Sequence, residues 1–263
     1  MKHYYELPKN QNTNKLYDHI LKQTHLLIAG TTGSGKSVLI NGLIHTALSK
    51  NTPDSAEFIF IDLKRVELCA YRQLPHCKMY ADDIISAISA LKYALNETEK
   101  RYQIMQQTNS KKYQDSALYV IIDELADLMT VNKRAIVPLL QRICQIGRAA
   151  NVHVIAATQC PLATVIPTQI KVNFDTRIGL RTLSKQDSRN ILGISGCEEL
   201  PKYGKAYYMS PDNTNIELIN IPFISDSEIN EIVNFWKNSV PHYEIVDKFI
   251  SFLNKHQTKY HFI

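Results

Sequence analysis

No stretch of the 263-residue sequence is apolar over anything close to the roughly 20 residues that a bilayer-spanning helix needs. Residues 1–24 are polar and lack the apolar centre of a signal peptide. We therefore expect a soluble, cytoplasmic protein without a transmembrane segment of its own. Any membrane-bound or conjugation partner would then be supplied in trans.

The sequence also lacks paired cysteines, internal repeats and low-complexity linkers. Its five cysteines are scattered without a C-x-x-C pair or a matching histidine spacing, which indicates neither a zinc site nor a disulfide framework. A hydrophobic content of 44% suffices for one large α/β core or two small domains and argues against disorder, and the absence of a linker favours one domain. The net charge of +5 is mild, so it permits a polyanionic partner without requiring one.

A glycine-rich loop between an apolar strand and a helix carries the first chemical signal. From Gly30 to Ser37 it fits the pattern G-x-x-x-x-G-K-[ST]. Its glycines allow backbone angles at which successive N–H groups point at phosphate oxygens. Lys36 would reach the β- and γ-phosphates, and Ser37 would take one position on Mg²⁺. We predict that ATP and Mg²⁺ are bound here by Gly30, Thr31, Thr32, Gly33, Ser34, Gly35, Lys36, Ser37 and Val38.

An acidic pair directly after a buried strand is the second signal. The apolar run 117–122 leads into Asp123 and Glu124. Such a pair supplies what the phosphate loop needs: Asp123 would hold Mg²⁺ through water, and Glu124 would polarise the attacking water. Helix capping is the alternative for an isolated acidic pair, and the phosphate loop upstream makes it the weaker one.

Two further residues flank the apolar strand predicted at 152–156. Gln159 follows it and is a candidate sensor of the γ-phosphate, although it could be an ordinary loop glutamine. Arg148 precedes it at a helix end. The residues alone leave open whether Arg148 is a surface charge or a finger that reaches into a neighbouring subunit.

The remaining pattern predicts an α/β fold with a mostly parallel central sheet flanked by helices. Continuous apolar strands at 26–29 and 58–61 are typical of parallel strands covered on both faces. Helical spacing is expected at 36–50, 82–107, 133–150, 184–192 with Ser184 as cap, 226–237 and 245–253. Strands at 205–209 and 216–221 predict a C-terminal hairpin at the sheet edge.

Taken together, these motifs resemble the motor domain of the FtsK/SpoIIIE family of double-stranded DNA translocases. The resemblance covers about residues 25–243. It rests on blocks that occur in the family's order: the phosphate loop, Ile61 to Lys64, Leu74 to His76, Glu99 to Tyr102, Ile122 to Met129, Gly147 to Ala150, Ala157 to Gln159, and Asp187 to Arg189.

The resemblance implies a RecA-like P-loop core that forms a homo-hexamer around DNA, with ATP bound between subunits. Lys36, Ser37, Asp123 and Glu124 match the hydrolytic set. Arg148 matches the family's trans-acting arginine finger. The basic residues that the family points at the DNA backbone correspond to Lys171, Lys185 and Arg189.

The departures from the family also carry expectations. Cys160 replaces an arginine of the family's pattern, which predicts a weaker grip on DNA. We divide the chain into an arm at 1–24, a motor domain at 25–243 and a C-terminal helix or tail at 244–263. Because modules that usually accompany the motor are not seen, we expect a stand-alone motor acting on plasmid or mobile-element DNA.

Two other functions stay open at this point. The ATPase could instead serve conjugative transfer or type VII-like secretion, with protein or nucleoprotein cargo. It could also be a nucleotide-switched adaptor with slow hydrolysis, which Asp123, Glu124 and Arg148 argue against.

Overall fold

The computed structural model describes residues 15–239, which fold into eight strands and seven α-helices. The strands are β1 (His25–Ala29), β2 (Ala56–Ile61), β3 (Cys77–Ala81), β4 (Ala117–Ile122), β5 (Val152–Thr158), β6 (Thr176–Gly179), β7 (Lys205–Ser210) and β8 (Asn213–Asn220). The helices are α1 (Lys15–Leu21), α2 (Lys36–Lys50), α3 (Ile84–Gln107), α4 (Leu125–Ile146), α5 (Thr168–Lys171), α6 (Lys185–Leu192) and α7 (Asp226–Asn238).

All eight strands belong to one sheet with the order β3-β2-β4-β5-β1-β6-β7-β8. The pairs from β3 to β6 are parallel, whereas β7 and β8 add an antiparallel hairpin at the edge. The predicted α/β class with a mostly parallel sheet and an edge hairpin is therefore confirmed. Strand β1, which leads into the glycine-rich loop, lies in the interior of the sheet between β5 and β6.

Apolar cores cover both faces of the sheet, which explains the continuous apolar runs of its strands. Along β1, Leu26 and Ile28 pack into the core on the side of α2 and α7, whereas Leu27 and Ala29 pack into the core on the side of α3 and α4. This alternation follows from the two-residue period of a strand. Among the residues described, no helix combines the length and the apolar character required to cross a membrane.

Helix α4 differs from its prediction. It begins at Leu125, directly after Glu124, because the Glu124 side chain accepts the N–H of Ala126 and caps the first turn. Non-helical backbone angles at Asn132 (φ −152°, ψ 64°) kink the helix there. The helix predicted from residue 133 is thus the second half of a longer, bent element. The structure also contains β3 and α5, which were not predicted; β3 is an edge strand and only partly buried.

The predicted arm also needs correction where the structure describes it. Helix α1 packs on the core, with Tyr17 and Ile20 buried. The Tyr17 hydroxyl donates to the Pro222 carbonyl oxygen at 2.6 Å, and its ring lies so close to Gly42 that a Cβ there would clash. A domain boundary after residue 24 therefore does not follow the packing. The first 14 residues, the helix predicted at 245–253, the tail at 244–263 and the domain end at 243 lie outside the described residues.

Tyr17→Ala tests whether α1 is part of the folded core. We expect the free energy of unfolding to fall by about 3–5 kcal/mol, as for other buried aromatic side chains. Tyr17→Phe should cost about 1 kcal/mol, because it removes only the hydrogen bond to Pro222. Denaturant unfolding of both variants measures this.

The matched control is Lys15→Ala, which alters an exposed residue of the same helix. It should stay within about 0.5 kcal/mol of the unmodified protein. A Tyr17→Ala protein equally close to the unmodified one would show that α1 does not support the core.

Candidate functional site

The carboxyl ends of four neighbouring parallel strands bring the predicted site residues to one edge of the sheet. In register, Ile61 of β2 lies beside Ile122 of β4, Ile122 beside Ala156 of β5, and Ala29 of β1 beside Thr158 of β5. The segments that follow these strands therefore converge. They carry Asp62, the Asp123-Glu124 pair, Gln159 and the glycine-rich loop.

Glycines shape the loop in two different ways. Gly33 and Gly35 have positive φ angles of 72° and 100°, which other residues adopt only with strain. Gly30 is required for space, because a Cβ there would lie 2.5 Å from the Ser34 hydroxyl and 2.8 Å from the Leu180 Cβ. The loop then opens helix α2, with Gly35 as its N-cap. This arrangement directs backbone N–H groups and the positive end of the helix dipole toward one site.

Lys36 is buried at the centre of this loop. Its ammonium donates to the carbonyl oxygens of Gly30 at 2.7 Å and Thr31 at 3.1 Å. Burial lowers the pKa of Lys36, an effect opposed by the nearby Glu124 and Asp123 carboxylates. Both carbonyl bonds hold the ammonium among the loop atoms, where phosphate oxygens would compete for it.

Glu124 and Gln159 are joined directly. Both carboxylate oxygens of Glu124 accept the backbone N–H of Gln159, at 3.0 and 3.2 Å. The Gln159 side-chain oxygen in turn accepts the Thr32 hydroxyl at 2.8 Å. One chain of hydrogen bonds thus links the carboxylate after β4, the end of β5 and the glycine-rich loop.

Asp123 lies in a strongly unfavourable environment for a carboxylate. Burial and the charges of Asp62, Glu67 and Glu124 raise its pKa to about 7, only partly offset by Lys64. A divalent cation would relieve this repulsion, so Asp123 fits a magnesium role. Within residues 15–239 no group of three acidic, histidine or cysteine side chains could hold a metal alone. Asp123 and Ser37 fit Mg²⁺ that is bound largely through substrate phosphates, as is usual for this ion.

Arg148 lies at the amino ends of the parallel strands, on the side of the sheet opposite to the phosphate loop. It is exposed in the turn between α4 and the start of β5, and it lines a polar cavity of about 370 Å³ with Lys22 and Lys112. The length of β5, roughly 20 Å, separates this turn from the phosphate loop. The structure therefore does not bring Arg148 to the Lys36 site of its own chain, and contact would require a second copy.

The three predicted DNA contacts differ in their exposure. Lys185 and Arg189 are exposed on helix α6. Lys171 is only 6% exposed, and its ammonium points inward to the carbonyl oxygens of Pro161 and Asn190, both at 3.3 Å. This placement corrects the prediction for Lys171, because a phosphate at the surface cannot replace two internal carbonyl groups without local rearrangement.

Asp62 is a further site residue, and its role was not predicted from the sequence. Its fully buried carboxylate accepts the N–H groups of Lys64, Arg65 and Leu68 and so shapes the turn after β2. That turn holds Lys64 in an ion pair with Asp127 at 3.2 Å. The sequence did contain a signal for Asp62, because this carboxylate directly follows an apolar strand, as Asp123 does.

A protein-family model described as the FtsK/SpoIIIE family matches residues 1–116 and 110–163. The DNA translocase FtsK 1 of Neisseria meningitidis serogroup B is 35% identical to this chain over 256 residues, which covers 84% of the chain and 31% of the relative. The DNA translocase FtsK of Chlorobaculum tepidum is 37% identical over 249 residues, with coverages of 87% and 31%. The chain spans about a third of the length of these relatives.

Solved structures show the same fold at lower identity. The monomer form of the pCW3 conjugation coupling protein TcpA with ATPγS superposes with a TM-score of 0.72 at 24% identity, covering 82% of this chain and 65% of that one. EssC (ATPases 2 and 3) from Geobacillus thermodenitrificans gives a TM-score of 0.72 at 18% identity, covering 86% and 45%. The fold is therefore that of a P-loop ATPase.

Asp123→Asn tests the crowding of carboxylates at the site. Because the pKa of Asp123 is raised from 3.8 to about 7 in the folded protein, its ionisation opposes folding. This penalty grows as the pH rises from about 4 to 7 and is complete above that range. Asp123→Asn should therefore stabilise the nucleotide-free protein more at pH 8 than at pH 4, measured by denaturant unfolding.

Asp127→Asn is the matched control, since Asp127 is a neighbouring carboxylate that is paired with Lys64 at the surface. It should not show a stabilisation that increases with pH. An Asp123→Asn effect that is equal at both pH values, or larger at pH 4, would contradict the raised pKa.

Proposed function

The chain belongs to the FtsK/SpoIIIE family, and from this premise we propose that it hydrolyses ATP with Mg²⁺ to move along double-stranded DNA in the cytoplasm. The observation that carries the hydrolytic part of the proposal is the Glu124 carboxylate, which accepts the backbone N–H of Gln159 beside the phosphate loop. Because Glu124 contacts the Gln159 N–H as well as capping α4 through Ala126, this contact supports a role in orienting water beyond helix capping.

The residues of the loop account for binding of the triphosphate. Backbone N–H groups at the start of α2 surround the phosphates, and Lys36 exchanges its bonds to Gly30 and Thr31 for phosphate oxygens. Mg²⁺ held by the phosphates, Ser37 and Asp123 would neutralise charge that develops during transfer. Ionised Asp123 is the form that this role needs, and a cation beside it favours that form.

Glu124 orients the attacking water and accepts its proton. Because its two oxygens are held by the Gln159 N–H, the position of the base depends on the end of β5. The bond from Thr32 to the Gln159 side chain makes that strand end responsive to the phosphate loop. We assign Gln159 the role of sensing whether the γ-phosphate is present.

Arg148 acts on the site of a neighbouring subunit. Its exposure at the edge opposite the phosphate loop supports a head-to-tail arrangement in which one copy presents Arg148 to the next. Repeated around a closed ring, this arrangement would place ATP between subunits, and we take the ring to be the homo-hexamer that the family resemblance implies.

Duplex DNA is the favoured cargo because relatives named DNA translocases are 35–37% identical to this chain. The structures of a conjugation coupling protein and of EssC are similar at only 24% and 18% identity. DNA would contact exposed Lys185 and Arg189 through its phosphates.

Glu124→Gln tests the hydrolytic assignment. Turnover of ATP should fall by about 10²–10⁴-fold, because a general base is lost, whereas ATP affinity should persist. Lys36→Ala should also abolish turnover but weaken ATP binding, since the ammonium that meets the phosphates is removed. Steady-state hydrolysis and equilibrium binding of a fluorescent ATP analogue separate the two outcomes.

Glu99→Gln, which alters an exposed glutamate on α3, serves as the control and should keep normal turnover. Near-normal hydrolysis by Glu124→Gln, with contaminating ATPases excluded, would remove Glu124 from the mechanism. Loss of ATP binding in the same variant would make its role structural.

Lys185→Ala and Arg189→Ala test the cargo. If each side chain contacts one phosphate, each substitution should reduce the slope of log affinity against log salt by about 0.9, equally on unrelated duplex sequences. Stimulation of ATP hydrolysis by duplex DNA should fall in parallel. Cys160→Arg should shift affinity and slope in the opposite direction, because it restores a basic residue of the family.

Lys171→Met is the matched control, since it removes a positive charge that points inward. It should leave the salt slope unchanged. If Lys185→Ala and Arg189→Ala bind duplex DNA normally and DNA never stimulates hydrolysis, a protein or nucleoprotein cargo replaces DNA as the proposal.

A further inference from the structure

We propose that Arg101 is a positioning residue for Arg148: its buried guanidinium holds the turn that presents Arg148 to a neighbouring subunit. This inference rests on the proposed trans role of Arg148. Arg101 lies on helix α3, far along the chain from that turn, and makes its contacts through the side chain.

The Arg101 guanidinium is fully buried and directed at backbone carbonyl groups. Its Nη1 lies 3.0 Å from the Ala150 oxygen and 3.1 Å from the Asn151 oxygen, which belong to the turn that follows Arg148. The same nitrogen lies 2.9 Å from the Ser116 oxygen, at the entry to β4. Arg101 thus clamps the turn to the neighbouring strand.

Other bonds complete the clamp. The Tyr113 N–H donates to the Ala149 oxygen at 2.9 Å, and the Leu118 N–H donates to the Asn151 oxygen at 3.0 Å. The three carbonyl groups after Arg148 are therefore all held. Asn151 has a φ of 56°, and Gly147 could not carry a Cβ without lying 2.7 Å from two carbonyl oxygens. Hydrogen bonds thus hold the backbone after Arg148, and the position before it has room only for glycine.

A guanidinium is needed for this arrangement. Glu97 pairs with the Arg101 Nε at 3.2 Å, Glu57 lies 3.6 Å from Nη2, and the Tyr113 ring stacks below the guanidinium at 4.6 Å. These contacts balance the buried charge and leave Nη1 free to bond the turn. A lysine would keep the charge, but it has no planar fork that can serve the carboxylates and the carbonyl groups together.

Arg148 itself stays available. Within residues 15–239, no hydrogen bond or ion pair engages its guanidinium, and the residue is exposed at the polar cavity. Its reach into another subunit therefore depends on the position of its backbone. A misplacement of about 1 Å can cost roughly 10²-fold in rate, so loss of the clamp should impair the finger without altering the phosphate loop.

Arg101→Lys tests this by directional complementation. Alone, Arg101→Lys should lose about 10- to 100-fold in ATP turnover while binding ATP normally. In rings mixed with Lys36→Ala subunits, turnover should recover. The Lys36→Ala subunits supply a well-placed Arg148, and the Arg101→Lys subunits supply an intact phosphate loop. Mixed with Arg148→Ala, Arg101→Lys should regain none, because no subunit then supplies a well-placed finger.

Arg177→Lys is the matched control. The Arg177 guanidinium also bonds three carbonyl oxygens, those of Lys171, Phe174 and Ile191, but these belong to the α5 and α6 region. Any turnover that Arg177→Lys loses should not be restored by Lys36→Ala. If Arg101→Lys fails to fold, Tyr113→Leu is compared with Tyr113→Phe, which keeps the ring. Tyr113→Leu should lose turnover and regain it with Lys36→Ala but not with Arg148→Ala, whereas Tyr113→Phe should not show this pattern.

The outcomes separate the two proposals. If Arg148→Ala mixed with Lys36→Ala regains no turnover in rings shown to be mixed, the trans role of Arg148 is wrong. If that mixture recovers but Arg101→Lys keeps full turnover alone, or is not restored by Lys36→Ala, the positioning role of Arg101 is overturned.

Discussion

The parallel register of β4, β5 and β1 is the constraint on which the candidate site depends. It sets Asp123, Glu124 and Gln159 beside the glycine-rich loop, although long helical crossovers separate them in the chain. The bond from the backbone N–H of Gln159 to the Glu124 carboxylate exists only because β4 and β5 end side by side. A shift of one residue in this register would turn the site side chains to other faces of the sheet.

The carboxyl ends of these strands also bring together charged groups in an unfavourable electrostatic environment. Burial and the charges of Asp62, Glu67 and Glu124 raise the pKa of Asp123 to about 7, and Lys36 is buried against loop carbonyl groups. Without a ligand, the site is therefore higher in free energy than an ordinary protein surface would be. Phosphates and a divalent cation would supply the missing partners, so this local cost is consistent with a binding role.

The opposite edge of the sheet is organised by a different interaction. There the Arg101 guanidinium bonds three carbonyl groups, joins the turn after Arg148 to the entry of β4, and leaves Arg148 exposed. Strand β5 runs between the two edges, from the turn with Arg148 to Gln159. In the proposed ring, β5 would connect Arg148, the proposed finger, with Gln159, the proposed sensor of the same subunit. Both ends of β5 are held by hydrogen bonds, which suits it to this mechanical role.

The sequence by itself determined the features that depend on local chemistry. Glycine spacing indicated the phosphate loop, apolar runs indicated parallel strands, and Ser184 indicated the start of α6, which it caps. Features that depend on distant partners needed the tertiary structure. Helix α1 became part of the core through Tyr17 and Pro222, and Lys171 turned inward to Pro161 and Asn190. Likewise, only the fold brought Arg101 to the turn after Arg148. A sequence pattern records a residue's type and local period, whereas burial and hydrogen-bond partners are set by segments that the pattern does not connect.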